Sequence, residues 1–501
     1  MKKTLIALLL FLPAILFSCA KVTVIPDVIP DDRQTDGKEK ESAFKSGRAI
    51  VKVTPELALE LESNTSEDGT VVFSRVNTLA DVVETLNVFS MERLFADAGV
   101  FEERSRAEGL HLWYTIVFDD TKPLSLATDI LKGHSGVIKV ECDPINRLYD
   151  GGFQYASAPT KASENNPYND PLLYLQWHYQ NNGSEHGYKT GCDVNVFPVW
   201  ETCTPIRQDV IVCIVDGGVD YTHEDLEANM WHNPEQEGDA QYGYNFCKNS
   251  YEITPDSHAT HVAGTIAAVN NNEIGVCGIA GGDYAEGIPG VRIMSCQIFS
   301  GDDSVNGASA IKWGADHGAV ICQNSWGYPD LNETPESIRA AVDYFTKYAG
   351  IDENGEQTGP MAGGLVVFAA GNERKNGSSS EYDRILNVVS VGADFCKAGY
   401  SNWGRFADLA APGGDATKGN KVLSTLPGNK YGWMAGTSMA CPHVSGVAAL
   451  VLSICGGPGF TPQDLRTRLE ATSTDISAYN PDYYLGRGLV NAHAAVSYSD
   501  Q

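Results

Sequence analysis

From residue 171 onward the chain alternates short apolar segments with helical patterns, and this feature constrains the fold more than any other. The segments at 210–215, 320–323, 365–369 and 388–391 lack the in-and-out alternation of a strand with one wet face, so both faces must be covered. Helical patterns run over 258–269, 309–317, 336–348 and 438–454. Such a series specifies an α/β fold, a doubly wound, mostly parallel sheet with helices on both faces. Ligands of these sheets sit beyond the carboxyl ends of the strands, which directs attention to the polar residues following each apolar segment.

One core rarely organises all 501 residues. Residues 44–150 read as a separate small α+β unit, with strands at 48–53, 110–118 and 137–141 and helices at 79–86 and 124–131. Residues 151–170, rich in Gly, Ala, Ser, Pro and Asn, read as a linker and a natural cleavage region. At the start, a basic Met1-Lys2-Lys3 and an apolar run over 5–17 read as a signal peptide occupying 1–18, too short for a mature membrane span. The run ends in Leu16-Phe17-Ser18-Cys19, which resembles a bacterial lipobox. That resemblance implies an acylated Cys19, a tether over 19–43 and an exported lipoprotein attached to the outer membrane, facing periplasm or cell surface.

Composition narrows the partners. A net charge of -28 excludes nucleic acid and anionic membrane surfaces, since phosphates would be repelled. Residues 44–150 hold 18 acidic and 11 basic side chains, and the chain from 151 holds 40 and 19, so apolar packing rather than net charge is expected to join the two. Setting Cys19 aside from the 12 cysteines leaves an odd number, which cannot all pair. Cys213 and Cys322 lie in apolar runs and read as core thiols; Cys192 and Cys203 could form a disulfide. No Cys/His spacing suggests zinc.

Three segments carry the chemistry: Ile214-Val215-Asp216-Gly217, Asp256-Ser257-His258-Ala259-Thr260-His261, and Gly436-Thr437-Ser438-Met439-Ala440-Cys441-Pro442-His443. Asp216 ends an apolar strand, where its carboxylate can accept the imidazole Nδ1 proton and fix the tautomer. His258 opens a helix and can take a proton from Ser438. Ser438 begins an apolar helix whose partly positive N-terminus favours a developing anion, which makes it the nucleophile. In this Asp, His, Ser order the segments resemble the subtilisin-like serine proteases, from residue 171 to the C-terminus. Residues 44–150 resemble that family's ferredoxin-like inhibitory propeptide.

The resemblance implies a serine endopeptidase acting on proteins or peptides, with Asp216, His258 and Ser438 as its triad. Asn372, in Phe368-Ala369-Ala370-Gly371-Asn372, would be the oxyanion donor beside the Ser438 amide. Ser325, Trp326 and Gly327 would pair with substrate backbone and wall the first specificity pocket. The propeptide would pack on the peptidase, assist its folding and fill the cleft with its tail until cut between about 149 and 166. His261 and His443 would be structural. No cofactor is required; a structural calcium is possible near Asp225 and the loop 268–275, with no metal ligand assigned. Asp302 and Asp303 border the second and fourth subsites and would favour basic substrate side chains.

The sequence departs from the family at Gly217, where Ser or Thr is common, at Ala259, where Gly is usual, and in 374–381, which lacks a Tyr-Pro pair. A catalytically impaired, peptide-binding pseudoprotease is the alternative reading. An esterase is opposed by the chain order and by the absence of a GxSxG elbow.

Overall fold

The computed structural model describes residues 43–66, 69–149, 152–156, 166–203, 209–301 and 303–499, and all structural statements concern these. The signal peptide, Cys19, the tether up to residue 42, Asp302 and residues 157–165 of the linker lie outside them.

Strand β1 (Phe44–Val53) buries Ala49, Ile50, Val51 and Val53, so it must be covered on both faces. It forms an antiparallel sheet with β2 (Val88–Arg93), β3 (Trp113–Phe118) and β4 (Val137–Pro144) in the order β2-β3-β1-β4. The helices Pro55–Ser63 and Leu124–Gly133 complete a βαββαβ, ferredoxin-like unit. Thr54 caps the first helix, its hydroxyl accepting from the Leu57 amide at 3.3 Å. Ala49, Val51 and Val53 pack with these helices, while Ile50 points the other way with Trp113, Phe95 and Leu110. One sequence reading is corrected here, and one strand was not read. The run 110–118 is a 3₁₀ turn over Leu110–Leu112 followed by β3, and β2 escaped notice because Phe89 is exposed in it.

The second sheet has seven strands: Leu409–Pro412, Ile385–Val391, Leu365–Ala369, Ile321–Asn324, Ile211–Asp216, Arg292–Gln297 and Gly243–Asn245, in that spatial order. Every neighbouring pair is parallel. Helices Ser257–Ala267 and Thr437–Cys455 pack together on one face, and Ala308–Asp316 and Glu336–Tyr348 on the other. The Thr437–Cys455 helix is long and apolar enough to cross a membrane, but 89% of that window is buried within the protein, so it is a core helix. Cys192 and Cys203 are free thiols, which corrects the disulfide expectation; Cys192 instead accepts from the Phe395 amide and donates to the Gly392 carbonyl.

The outward face of the first sheet rests on the Ala308–Asp316 and Glu336–Tyr348 helices, where Ile50, Phe95 and Trp113 join Ile311, Ile338 and Phe345 in one cluster. Charge contributes more to this junction than net charge suggested. Arg104 donates to the Tyr344 hydroxyl at 2.7 Å, the Ile351 carbonyl at 2.9 Å and Asp316 at 2.8 Å, with its guanidinium 3.7 Å from the Phe101 ring centroid. Glu141 accepts from the amides of Glu336 (2.6 Å) and Ser337 (3.3 Å), placing a carboxylate on the positive end of the Glu336–Tyr348 helix. Net repulsion is thus overcome by a few well-placed pairs together with apolar burial.

Candidate active site

Asp216 ends the Ile211–Asp216 strand with its side chain fully buried. Its carboxylate lies 2.9 and 3.1 Å from His258 Nδ1 and accepts from the Gly217 amide at 2.7 Å. Burial pushes the carboxyl pKa up, opposed by His258. His258 is the second residue of its helix, whose cap Asp256 accepts from the amides of His258 (2.8 Å) and Ala259 (3.2 Å). A Cβ at Gly217 would lie 2.6 Å from Asp256 Oδ1, so the absent hydroxyl at 217 makes room for that cap.

Ser438 sits one residue into the Thr437–Cys455 helix. Its hydroxyl donates to the Ser325 carbonyl at 2.8 Å, and the Ser325 hydroxyl donates to the Ser438 carbonyl at 2.9 Å. Asn372 Oδ1 accepts from the Thr437 amide (3.0 Å) and hydroxyl (2.9 Å), which aims Nδ2 into the cleft. There it donates to the carbonyl of Tyr149 at 2.8 Å.

Tyr149 lies in the cleft as the end of a bound peptide would. Just before it, β5 (Arg147–Leu148) pairs antiparallel with Trp326–Gly327. Asn146 donates to the Val305 carbonyl at 2.9 Å on the opposite wall. The Tyr149 ring is 4% exposed, with its hydroxyl 3.5 Å from Ser379 Oγ, and a Cβ at Gly327 would lie 2.0 Å from that hydroxyl. Trp326 faces away, its indole donating to the Val215 carbonyl at 2.8 Å, so it offers backbone rather than side chain. After Tyr149, β6 (Gln154–Tyr155) pairs with the Lys430–Met434 strand.

Asp216 and His258 thus form one bonded pair, while Ser325, Trp326, Gly327, Asn372 and Ser438 are linked to one another or to the 147–149 segment. Sequence reasoning missed Asp256, Ser379 and the positioning role of Thr437; the Asp-x-His spacing, a helix cap ahead of the histidine, was the one available signal. Asp303 is 78% exposed and lies 4.0 Å from Lys45 of β1. His261 Nε2 lies 3.1 Å from the Val422 carbonyl, and His443 bonds His178 and the Met439 carbonyl. Burial lowers His261 to about 3 and His443 to about 4, leaving both neutral. At Asp225 one carboxylate oxygen accepts from Asn272 Nδ2 at 2.8 Å and the other from the Val276 amide at 2.9 Å. The Asn272 carbonyl oxygen is itself turned to the Ile274 amide.

Residues 207–488 match the Peptidase_S8 subtilase family. The chain is 33% identical over 357 residues to the thermophilic serine proteinase of Bacillus sp. (strain AK1), covering 68% of this chain and 76% of that one. The chain belongs to the subtilase family. This subtilase is a serine-type endopeptidase with the subtilisin-like α/β fold. It is also 34% identical over 373 residues to the extracellular basic protease of Dichelobacter nodosus, spanning 66% of this chain and 55% of that protein. Fervidolysin from Fervidobacterium pennivorans, described as a keratinolytic enzyme related to subtilisin, shares the fold with a TM-score of 0.58 at 23% identity, over 92% of this chain and 62% of that one.

Proposed function

We propose that this subtilase is made as a zymogen that cuts its own Tyr149–Asp150 bond. The observation that carries the reading is the Tyr149 carbonyl held by Asn372 at 2.8 Å while β5 lies paired on Trp326–Gly327. Ser438 Oγ, turned from the Ser325 carbonyl, attacks the Tyr149 carbonyl carbon and gives its proton to His258 Nε2. Asp216 holds the imidazole in the required tautomer and steadies the imidazolium. Asn372 Nδ2 and the Ser438 amide stabilise the oxyanion. The C–N bond then breaks, His258 protonates the departing Asp150 amine, and water deacylates Ser438 by the same route.

Residues 44–149 then act as the propeptide, leaving Tyr149 in the pocket as a product-like inhibitor. The Tyr149 seat supports an aromatic preference before the cut, with Ser379 near the hydroxyl and Gly327 leaving it space. The signal sequence and the Cys19 lipobox support export and lipid attachment at the outer membrane, and relatives named as extracellular proteases agree with export. N-terminal sequencing of the matured protein tests the cut: Asp150 is expected at the first new terminus, and a terminus elsewhere in 151–170 that also appears in Tyr149→Asp would overturn it.

A further inference from the structure

We propose that the outer edge of the Lys430–Met434 strand is a substrate-docking edge, taking the fifth to seventh residues after the cut bond as an added antiparallel strand. This rests on reading Tyr149–Asp150 as that bond. One edge of Lys430–Met434 is occupied by Val422–Leu426 and the other by β6, in the register Gln154↔Trp433 and Tyr155↔Gly432. The Ala156 amide continues the ladder, donating to the Tyr431 carbonyl at 2.9 Å. The strand runs straight into Gly436-Thr437-Ser438, so a peptide laid along it is fixed in register with the nucleophile.

The edge shows features of a built site. A Cβ at Gly432 would come 2.9 Å from the Gln154 carbonyl, so this glycine permits the close backbone approach. Lys430 Nζ lies 5.0 Å from the Tyr155 ring centroid, and Phe153 meets the same ring edge-on at 5.1 Å. Ala156 packs beside Tyr431 and Trp433. The chemistry recognised is thus an extended polypeptide with an aromatic sixth residue and a small apolar seventh. The chain's own segment is a weak occupant, with Phe153 43% and Tyr155 55% exposed, and after the cut it leaves the edge open to a substrate strand.

The test uses the matured chain carrying Gln154→Pro and Ala156→Pro, whose own segment cannot donate to the strand. Two peptides share Asn-Arg-Leu-Tyr before the cut and continue either with Asp-Gly-Gly or with Asp-Gly-Gly-Phe-Gln-Tyr-Ala. The longer one is expected to have a KM about tenfold lower with kcat within about twofold, the yield of two or three modest hydrogen bonds and a ring contact. Alternate amides face the partner in an antiparallel ladder, so N-methylation of the Gln and Ala amides should erase the gain and N-methylation of the Tyr amide should spare it. Equal KM values, or a gain that survives methylation of the Gln and Ala amides, would overturn the proposal. Cleavage of the short peptide without any gain counts against the docking edge alone, whereas failure to cut either peptide or Tyr149 counts against the protease reading as well.

Discussion

The two short strands on either side of residue 150 are held very differently. β5 and its neighbours are gripped from both sides, by Trp326–Gly327 and through Asn146 by Val305, and end in a buried ring. β6 has one partner strand, and its Tyr155 and the preceding Phe153 are exposed. A cut between them separates a tightly held piece from a loosely held one. The tight piece is also tied to the whole 44–149 unit, whose junction adds Arg104, Glu141 and an apolar cluster. On the proposed zymogen reading, this asymmetry would keep the precursor inhibited after its bond is broken, while the side that receives a leaving group would open at once.

The largest effect is expected at Asp216→Asn, which leaves His258 in the wrong tautomer and should slow peptide cleavage about 10⁴-fold without changing KM greatly, as read by steady-state kinetics. Asn372→Ala removes the donor to the Tyr149 carbonyl and should cost about 10²–10³ in kcat. Arg104→Ala breaks a largely buried pair and should weaken inhibition by the separated 44–149 unit about a hundredfold, measured as an inhibition constant on matured enzyme; a change under about threefold would mean that β5 alone holds the tail.

Acidity should also act on the junction. Burial, with a smaller push from Glu336, raises the Glu141 carboxyl pKa, opposed by hydrogen bonds from Ser337 and the Glu336 amide. A carboxyl whose pKa rises on docking binds its proton more tightly in the complex. Docking is therefore favoured as pH falls and loses that contribution as pH rises through the docked value. Inhibition by the 44–149 unit should tighten from pH 7 to pH 5, by at most about tenfold per pH unit per proton, and Glu141→Gln should flatten the slope. A slope of opposite sign would show that the helix amides outweigh burial.

How far the sequence could be read follows from where each signal is stored. The continuous apolar runs at 365–369 and 388–391 are strands in the parallel sheet, because burial on both faces leaves an unambiguous pattern. The triad candidates and Asn372 stood out because each follows an apolar strand or opens a helix. Asp256 and Thr437 act through backbone amides, and a short polar residue beside a catalytic one carries no pattern of its own. The junction was least legible: Arg104 and Glu141 sit in ordinary charged stretches, and their partners lie roughly two hundred residues away. Net charge, being a sum, says nothing about such placement.

The central claim is that Ser438 cuts the chain's own Tyr149–Asp150 bond, and intact mass of the purified chain without residues 1–19, compared with Ser438→Ala, tests it most directly. Wild type should separate into a fragment ending at Tyr149 and one beginning at Asp150, while the variant stays whole. If both remain full length, or if the variant is cut at the same bond, the account is contradicted.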